Sequence, residues 1–186
     1  MNWYRIKHTI NMYLQQTGQK RARYLKKHNI LRHIGDNCMV MPRKIPLYPK
    51  LISMGDNVWI ATGVTFVTHD AIHHMLNNYI EGEGFQENIG CIDIKDNVFI
   101  GANSTVLANV TIGSNTIVGA GTLVNKNIGR RRVYAGVPAK YICSFEEFVK
   151  KRRSLPNMKV EKTKGDLSKS SVDAFWGNMS KQKFNR

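Results

Sequence analysis

The most regular feature of the sequence is an apolar residue at every sixth position. From Ile94 the chain divides into six consecutive hexads that each begin with Ile or Val: IKDNVF, IGANST, VLANVT, IGSNTI, VGAGTL and VNKNIG. Three related hexads, MGDNVW, IATGVT and FVTHDA, start at Met54, and a less regular pair, IGDNCM and VMPRKI, starts at Ile34. A period of six fits neither a helix nor a simple strand. It favours short strands that meet at tight corners.

Two further positions of the hexad have a constant chemistry. The fourth is Asn or Gly in eight of the nine regular hexads, and these residues tolerate positive φ at least cost: Asn57, Gly63, Asn97, Asn103, Asn109, Asn115, Gly121 and Asn127. The fifth is Val, Ser, Thr or Ile in the same eight, which suits a short extended stretch. Three hexads are therefore predicted to form one coil, and stacked coils to bury a column of Ile and Val. The fold class is an all-β solenoid; the alternative is a chance run of similar hexads in another β fold.

The segments on either side of the repeat have helical patterns. Trp3, Ile6, Ile10 and Tyr13 fall on one helical face, which predicts an amphipathic helix over residues 2–15. Packing of that face against the coil is the first expectation, and docking on a membrane surface is the second.

A second helix is predicted after the repeat. Ser144 and Glu147 have the spacing of a capping box for a helix from Phe145 to about Arg153. The predicted organisation is a helical basic extension over 1–33, a catalytic solenoid over 34–143 with an excursion loop over 72–93, and a C-terminal helix and basic tail over 144–186. The tail from Asn157 onward is expected to be mobile.

The net charge of +15 is concentrated at the two ends of the chain. Residues 1–33 hold eight Lys or Arg and no acid, residues 150–186 hold eleven against three acids, and residues 34–149 carry −1. A nucleic-acid module places its basic stripe on the folded domain, so no nucleic acid is expected as a partner. The basic ends are either solvated extensions or a means of peripheral membrane association through anionic headgroups.

The expected location is the cytoplasm, at the inner face of the membrane if the basic ends bind lipid. No stretch approaches the roughly 20 apolar residues of a membrane span, and the first residues lack the apolar core of a secretory signal. The three cysteines, Cys38, Cys91 and Cys143, are scattered, which argues for a reducing compartment.

One hexad breaks the rule at its fourth position, because FVTHDA has His69 there. The repeat is then interrupted over 72–93, and an insertion of this kind is expected to be a functional loop on one face. An imidazole at its root can remove a hydroxyl proton near neutral pH. From the residues alone, His69 is either a structural corner or a general base.

The hexads, together with the segment YAGVPAKYI at 134–142, resemble the hexapeptide-repeat acyltransferases over about residues 34–149. The likeness is to the maltose and galactoside O-acetyltransferases, and the continuation ICSFEEFVKK is similar to members associated with capsule and surface-polysaccharide synthesis. The resemblance implies a left-handed parallel β-helix. It also implies a homotrimer whose active sites lie between neighbouring subunits.

The same resemblance implies roles for individual residues. VTFVTHD is similar to the family's strand that carries the catalytic base, so His69 is the expected general base, whereas His73 and His74 are expected at the surface or near the acceptor. The Ala102 amide is the candidate donor to the thioester oxygen, and Lys126 and Lys140 match basic positions near the nucleotide. The full set of residues expected to bind acetyl-CoA is Gly101, Ala102, Gly119, Ala120, Asn125, Lys126 and Lys140.

The sequence departs from the family pattern at three places. Phe99 stands where Trp is common, and Cys143 stands where some sugar acetyltransferases have a basic residue. The corner before GVPAK reads GRRR, and Arg130, Arg131 and Arg132 either replace the missing charge or are solvated.

The predicted function is acetyl-CoA-dependent O-acetylation of a sugar hydroxyl during surface-polysaccharide synthesis. N-acetylation of a nucleotide-linked amino sugar would use the same base and donor, and a non-catalytic scaffold is a further alternative. The γ-class carbonic anhydrases share this β-helix, but HDAIHH bunches its histidines on one loop, so no metal site is expected. The acceptor and the acyl group remain open.

Overall fold

The computed structural model describes residues 3–155, 160–163 and 166–183. They fall into two compact units, 1–149 and 150–186. Within the described residues, no helix is both long enough and apolar enough to cross a bilayer.

The first unit is built mainly from short strands. In chain order they are β1 (His33–Ile34), β2 (Met39–Val40), β3 (Ile52–Met54), β4 (Trp59–Ile60), β5 (Thr65–Val67), β6 (Ile92–Ile94), β7 (Val98–Ile100), β8 (Thr105–Leu107), β9 (Val110–Ile112), β10 (Thr116–Val118), β11 (Leu123–Val124), β12 (Arg132–Ala135) and β13 (Lys140–Ser144).

These strands form three parallel sheets that the chain visits in turn. Sheet A has the order β1-β3-β6-β9, sheet B has β13-β12-β10-β7-β4-β2, and sheet C has β11-β8-β5. Successive strands of one sheet are a coil apart, as in the pairs Val98↔Thr116 and Thr105↔Leu123. Only β13 in sheet B pairs antiparallel within the three sheets. The short strands that meet at corners, predicted from the six-residue period, are confirmed.

The hydrophobic core follows the first and fifth positions of the hexad. Eight first-position side chains are at most 1% exposed: Met54, Ile60, Ile94, Ile100, Val106, Ile112, Val118 and Val124. All eight fifth-position side chains are buried as well, including the polar Ser104, Thr116 and Thr122. Burial of each aliphatic side chain stabilises the fold by about 1.5–3 kcal/mol, so the stacked column is the main source of stability.

The corners between sheets A and B are held by an asparagine ladder. Asn57, Asn97 and Asn115 each have positive φ. The Asn57 side-chain amide donates to Asn97 Oδ1 at 2.9 Å, and the Asn97 amide donates to Asn115 Oδ1 at 3.1 Å. Of the eight fourth-position residues, seven have the predicted positive φ. Asn127 is the exception, and its Oδ1 accepts from the Thr111 N–H at 2.7 Å instead.

Two helices, α1 (Trp3–Leu14) and α2 (Gly18–Lys27), cover the first coil. Arg21 of α2 is fully buried and donates to the carbonyl oxygens of Val40 at 2.8 Å and Gln15 at 2.7 Å. Both carbonyls therefore have a charged donor, which strengthens the hydrogen bonds at this end of the stack.

The predicted N-terminal helix is present, but its buried face differs from the expected one. His8 and Met12 are the buried residues of α1, whereas Trp3, Ile10 and Tyr13 of the predicted face are 73%, 57% and 59% exposed and Ile6 is half-buried. The expectation that this face packs against the coil is therefore wrong for Trp3, Ile10 and Tyr13. The shape of the first coil accommodates Met12, and the His8 ring meets the Tyr24 hydroxyl at 2.7 Å.

The predicted capping box is confirmed at the start of α4 (Phe145–Arg153). The Glu147 N–H donates to Ser144 Oγ at 3.1 Å, and the Ser144 N–H donates back to Glu147 Oε2 at 2.7 Å. The hydrogen bonds that the Glu147 carboxylate accepts from the Ser144 N–H and from the Ser144 hydroxyl lower the pKa of Glu147.

In the second unit, the described part of the tail has regular structure where a mobile segment was expected. A hairpin of β14 (Lys162–Thr163) and β15 (Asp166–Leu167) precedes α5 (Lys169–Lys183). The Glu161 N–H donates to Ser171 Oγ at 3.0 Å, which ties the hairpin to the helix. Asn157, where the tail was predicted to begin, lies outside the described residues.

Candidate active site

A proline-rich segment over residues 41–51 takes the place of a third strand in the first coil. The ladder to the second coil continues to the Met41 N–H, which donates to the Ile60 carbonyl at 2.9 Å. Pro42, Pro46 and Pro49 follow within eight residues, and proline cannot donate to a ladder. Sheet C accordingly begins with β5, whose outer edge has no strand partner among the described residues.

A cleft of about 790 Å³ runs along this open edge. One wall is the β5 strand with its flanking residues from Thr62 to His69, and the opposite wall is the segment from Met41 to Leu47. Arg5 and Tyr13 of α1 close one side. His69 therefore lies at one end of an elongated cleft whose size is typical of small-molecule sites.

The predicted excursion begins where His69 leaves the coil. His69 forms an antiparallel bridge with Ile89, and the Asp70 N–H donates to the Asn88 carbonyl at 3.1 Å. The Asp70 carboxylate accepts from the Asn88 side-chain amide and from the Ile72 N–H, both at 3.0 Å. These hydrogen bonds lower the pKa of Asp70. They hold the two ends of the excursion together, so Asp70 fixes the base of the loop.

The excursion itself contains the helix α3 (Ile72–Tyr79). Its side chains Ile72, Met75 and Tyr79 are exposed. The strands resume at Ile92, two residues before the position predicted from the hexads. His73 and His74 stack on each other with ring centroids 4.0 Å apart and do not line the cleft. In the described parts of the chain, no three His, Cys, Asp or Glu side chains gather in a group that could hold a metal ion.

Sequence reasoning missed Tyr48, which contacts the His69 ring, and Glu87, which binds the Tyr48 hydroxyl. The Tyr48 ring meets the His69 ring edge to face, with centroids 5.2 Å apart and an interplanar angle of 81°. The Tyr48 hydroxyl donates to the Glu87 carboxylate at 3.1 Å, which raises the pKa of Tyr48. Tyr48 also has a φ of 52°, unusual for a bulky residue. The proline-rich segment and the excursion thus meet over the imidazole.

One ring nitrogen of His69 is inaccessible to a substrate. Nδ1 is buried and has no hydrogen-bond partner among the described residues. An acceptor hydroxyl in the cleft must therefore approach Nε2, which can take its proton.

The cleft has a cationic lining that the sequence analysis did not single out. Arg5, Arg43 and Lys44 line it, and no Asp or Glu is among its lining residues. The Arg43 guanidinium lies 5.6 Å from the centroid of the Tyr13 ring, within cation–π distance. The signal for this lining was the irregular hexad VMPRKI, which departs from the repeat at residues that line the cleft.

The residues predicted to line the coenzyme A groove occupy one corner in two successive coils. Gly101 and Ala102 follow β7, Gly119 and Ala120 follow β10, and the Gly121 N–H donates to the Ala102 carbonyl at 2.8 Å. A Cβ added to Gly101 would lie 2.5 Å from the Ala120 nitrogen. Glycine at 101 is therefore required by the close approach of the next coil, and the Ala102 N–H forms no hydrogen bond among the described residues.

The remaining predicted groove residues lie elsewhere on the surface. Asn125 and Lys126 are exposed directly after β11, at the same end of sheet C as His69, and Lys140 is exposed at the start of β13. Ala102 precedes β8, so it lies at the opposite end of sheet C from His69, which follows β5. A single chain does not bring His69 and Ala102 together.

The departures from the family pattern also have defined positions. Phe99 pairs in register with Trp59, and both are exposed. Arg131 forms an ion pair with Glu146, and the Arg132 guanidinium lies 5.6 Å from the centroid of the Tyr141 ring. Two of the three arginines thus have local partners.

Comparisons with known proteins agree with this architecture. The family described as bacterial transferase hexapeptide (six repeats) matches residues 92–126. Protein CapG of Staphylococcus aureus is 46% identical over 101 residues, covering 54% of this chain and 56% of that protein. The chain thus spans little more than half the length of this curated relative.

Two solved structures at 25% identity have the same fold. A maltose O-acetyltransferase from Clostridium difficile matches with a TM-score of 0.54, covering 76% of this chain and 84% of that one. A galactoside acetyltransferase in complex with coenzyme A matches with a TM-score of 0.56, covering 85% and 88%.

Proposed function

Since the predicted resemblance to the hexapeptide-repeat acyltransferases is confirmed, and with it the class of enzyme, we propose that this chain transfers the acetyl group of acetyl-CoA to a sugar hydroxyl. His69 is the general base. The observation that carries the proposal is the position of His69 at the end of the cleft, with Nδ1 buried. The galactoside acetyltransferase that contains coenzyme A supports the thioester donor.

The reaction is a direct transfer. The acceptor oxygen attacks the thioester carbonyl while His69 Nε2 takes its proton, and the Ala102 N–H donates to the oxyanion of the tetrahedral intermediate. Collapse of the intermediate breaks the carbon–sulfur bond. The coenzyme A thiolate leaves and takes the proton from the imidazolium, so no enzyme nucleophile is needed.

The proposed assembly is a homotrimer of left-handed parallel β-helices with active sites between subunits. Its support is that one chain places His69 and Ala102 at opposite ends of sheet C, so a second copy has to supply the groove. The exposed apolar side chains of α3 offer a surface for that neighbour.

A complementation experiment tests this assembly. His69→Ala and Ala102→Trp are each expected to abolish turnover, the first by removing the base and the second by filling the groove. In trimers reassembled from equal amounts of both variants, about a quarter of the sites would combine an intact His69 with an intact Ala102. Recovery of that fraction of activity supports sites shared between subunits. No recovery, with both variants folded and trimeric, contradicts it.

The proposed acceptor is a sugar used in cytoplasmic steps of surface-polysaccharide synthesis, as the resemblance of ICSFEEFVKK suggests. N-acetylation of a nucleotide-linked amino sugar is the second candidate. Purified enzyme, acetyl-CoA and a panel of matched hydroxy and amino sugars decide between them, with the free thiol as readout. Mild base removes the acetyl group from an ester product, whereas an amide product is stable to it. No thiol release with any acceptor would favour the non-catalytic scaffold.

A further inference from the structure

We infer that the acceptor carries an anionic group, a phosphate, a diphosphate or a carboxylate, which Arg43 and Lys44 bind while a neighbouring hydroxyl reaches His69. This inference rests on the proposed function and names the class of its substrate. A neutral disaccharide would lack the group that this cleft is built to bind.

The argument starts from the charges around the cleft. Arg43 and Lys44 line it, and no carboxylate is among its described lining residues. Arg21 is buried close by, and burial together with the charge of Arg43 lowers its pKa. Like charges gathered at one site repel each other, and an anionic ligand removes that cost.

The repeat itself is not basic. Residues 34–149, which include the whole repeat, carry a net charge of −1. Arg43 and Lys44 are nevertheless adjacent and exposed on the segment that replaces a strand. They are therefore not part of a general basic surface of the repeat.

Arg43 and Lys44 are placed to bind one part of a substrate while another part of the same substrate reacts at His69. Arg43 is held against the Tyr13 ring on the wall opposite β5, whereas His69 closes one end of the same cleft. A volume of about 790 Å³ accommodates more than one sugar ring. An anionic group fixed at Arg43 and Lys44 would orient the sugar, and that orientation contributes directly to rate.

The first test compares acceptors that differ only in charge. A hexose, the matching hexuronate and the matching nucleoside-diphosphate hexose are assayed by thiol release from acetyl-CoA. We expect kcat/KM at least tenfold higher for one of the anionic acceptors, and loss of this preference in Arg43→Gln/Lys44→Gln. Whichever anionic acceptor is preferred identifies the carboxylate or the diphosphate as the source. The matched control, Arg23→Gln/Lys27→Gln, removes the same charge from the exposed face of α2 and should keep the preference.

A binding measurement separates this inference from the proposed reaction. Inorganic pyrophosphate is titrated by calorimetry into protein saturated with coenzyme A, which occupies the donor's own phosphate sites. Binding to wild type and to His69→Ala, lost in Arg43→Gln/Lys44→Gln, supports an anion site even if no acceptor reacts. Equal turnover of neutral and anionic acceptors, unaffected by the double substitution, overturns the inference while leaving acetyl transfer intact.

A second observation independently points to an interaction surface on α1. Trp3, Ile10 and Leu14 form an exposed stripe on the side of the helix opposite the buried His8 and Met12. A helix of this pattern has an apolar face that no other described residue of the chain covers.

We propose that this stripe lies on an anionic lipid surface. The region over 1–33 contains eight Lys or Arg and no acid, and Lys20, Arg23 and Lys27 are exposed on the adjacent α2. A second copy of the same region would bring like charges together, whereas anionic headgroups are complementary to it.

Vesicle sedimentation tests this surface in the full chain. We expect binding to phosphatidylglycerol–phosphatidylcholine vesicles, little binding to phosphatidylcholine alone, and at least fivefold weaker binding for Ile10→Gln/Leu14→Gln. The control Ile142→Gln changes an equally exposed apolar side chain of β13 and should bind as wild type does. Unchanged binding in the α1 variant, or a change in oligomer size in place of vesicle binding, overturns the proposal.

Discussion

Two corners of the same coil obey different rules. At the corner between sheets A and B, every regular coil has asparagine with positive φ, and the side-chain amides form a ladder. At the corner after sheet C, one coil has Asn109, whereas another has His69 and opens into an excursion. At the first corner, asparagine keeps the same backbone conformation in every coil. At the second corner, His69 replaces asparagine in the coil that forms the cleft, so the departure from the repeat marks the site.

The largest effect should come from the irregular corner. His69→Ala is expected to lower kcat at least ~100-fold, because general-base catalysis contributes 10²–10⁴-fold. The KM for acetyl-CoA should change little, since the imidazole serves the acceptor. The measurement is steady-state turnover with the acceptor found by thiol release.

The matched control is Asn109→Gly at the equivalent corner of the next coil. Glycine keeps the positive φ of Asn109, so the folded enzyme should retain its kcat. Near-wild-type turnover in His69→Ala would make His69 a corner residue like the others.

A substitution at the regular corner should change the free energy of unfolding and not the kcat. Asn97→Ala removes two side-chain hydrogen bonds and places alanine at a φ of 56°. We expect a loss of about 2 kcal/mol in the free energy of unfolding, from the hydrogen bonds and the left-handed backbone together. Asn97→Gly relieves the backbone and should recover about half. Chemical denaturation measures both variants; equal losses would show that φ has no part in the effect.

The regular corners are also where the sequence predicted the structure best. A hexad that repeats many times averages out local exceptions, so the strands, the buried column and seven positive φ values followed from the pattern. His69 was recognisable because it broke that pattern.

The neighbours of His69 were not predictable in the same way. Tyr48 contacts the ring and Glu87 binds the Tyr48 hydroxyl, both from segments that have no repeat, so their contact depends on how the proline-rich segment and the excursion fold over the coil. The packed face of α1 was also not predicted. The hydrophobic pattern indicated one stripe of the helix, whereas the helix packs on the first coil through Met12 on another face.

A smaller effect is expected from the residues that hold the imidazole. Tyr48→Phe keeps the ring against His69 and removes the hydrogen bond to Glu87, so kcat should fall about three- to tenfold, the equivalent of one hydrogen bond. Glu87→Gln keeps an acceptor for the hydroxyl and should stay closer to wild type. The pH dependence of kcat distinguishes an electrostatic effect of the Tyr48–Glu87 pair on His69 from a loss of packing. A loss of packing alone would leave the midpoint of the pH profile unchanged.

The smallest expected effect is on the pH dependence of stability, and it comes from His8, which lies away from both corners. Burial, with the nearby charges of His28 and Lys7, lowers the pKa of His8 from the ordinary 6.5. The folded protein therefore binds this proton less readily than the unfolded chain. Stability contributed by neutral His8 is present above pH 6.5 and decreases as the pH falls below it. Thermal unfolding from pH 7.5 to 5.5 should show this loss, and His8→Asn should reduce it.

The two ends of sheet B determine where strand addition stops. A parallel stack presents the same edge after every coil, so nothing in the repeat itself prevents another chain from adding to it. At one end Arg21 donates a hydrogen bond to the Val40 carbonyl oxygen, and α2 covers β2. At the other end β13 runs antiparallel and its pairing with β12 shifts register at Val133 and Tyr134. Both edges of sheet B thus lose the regular parallel template on which an identical coil could grow, and at this sheet the stack is protected against end-to-end polymerisation into fibres.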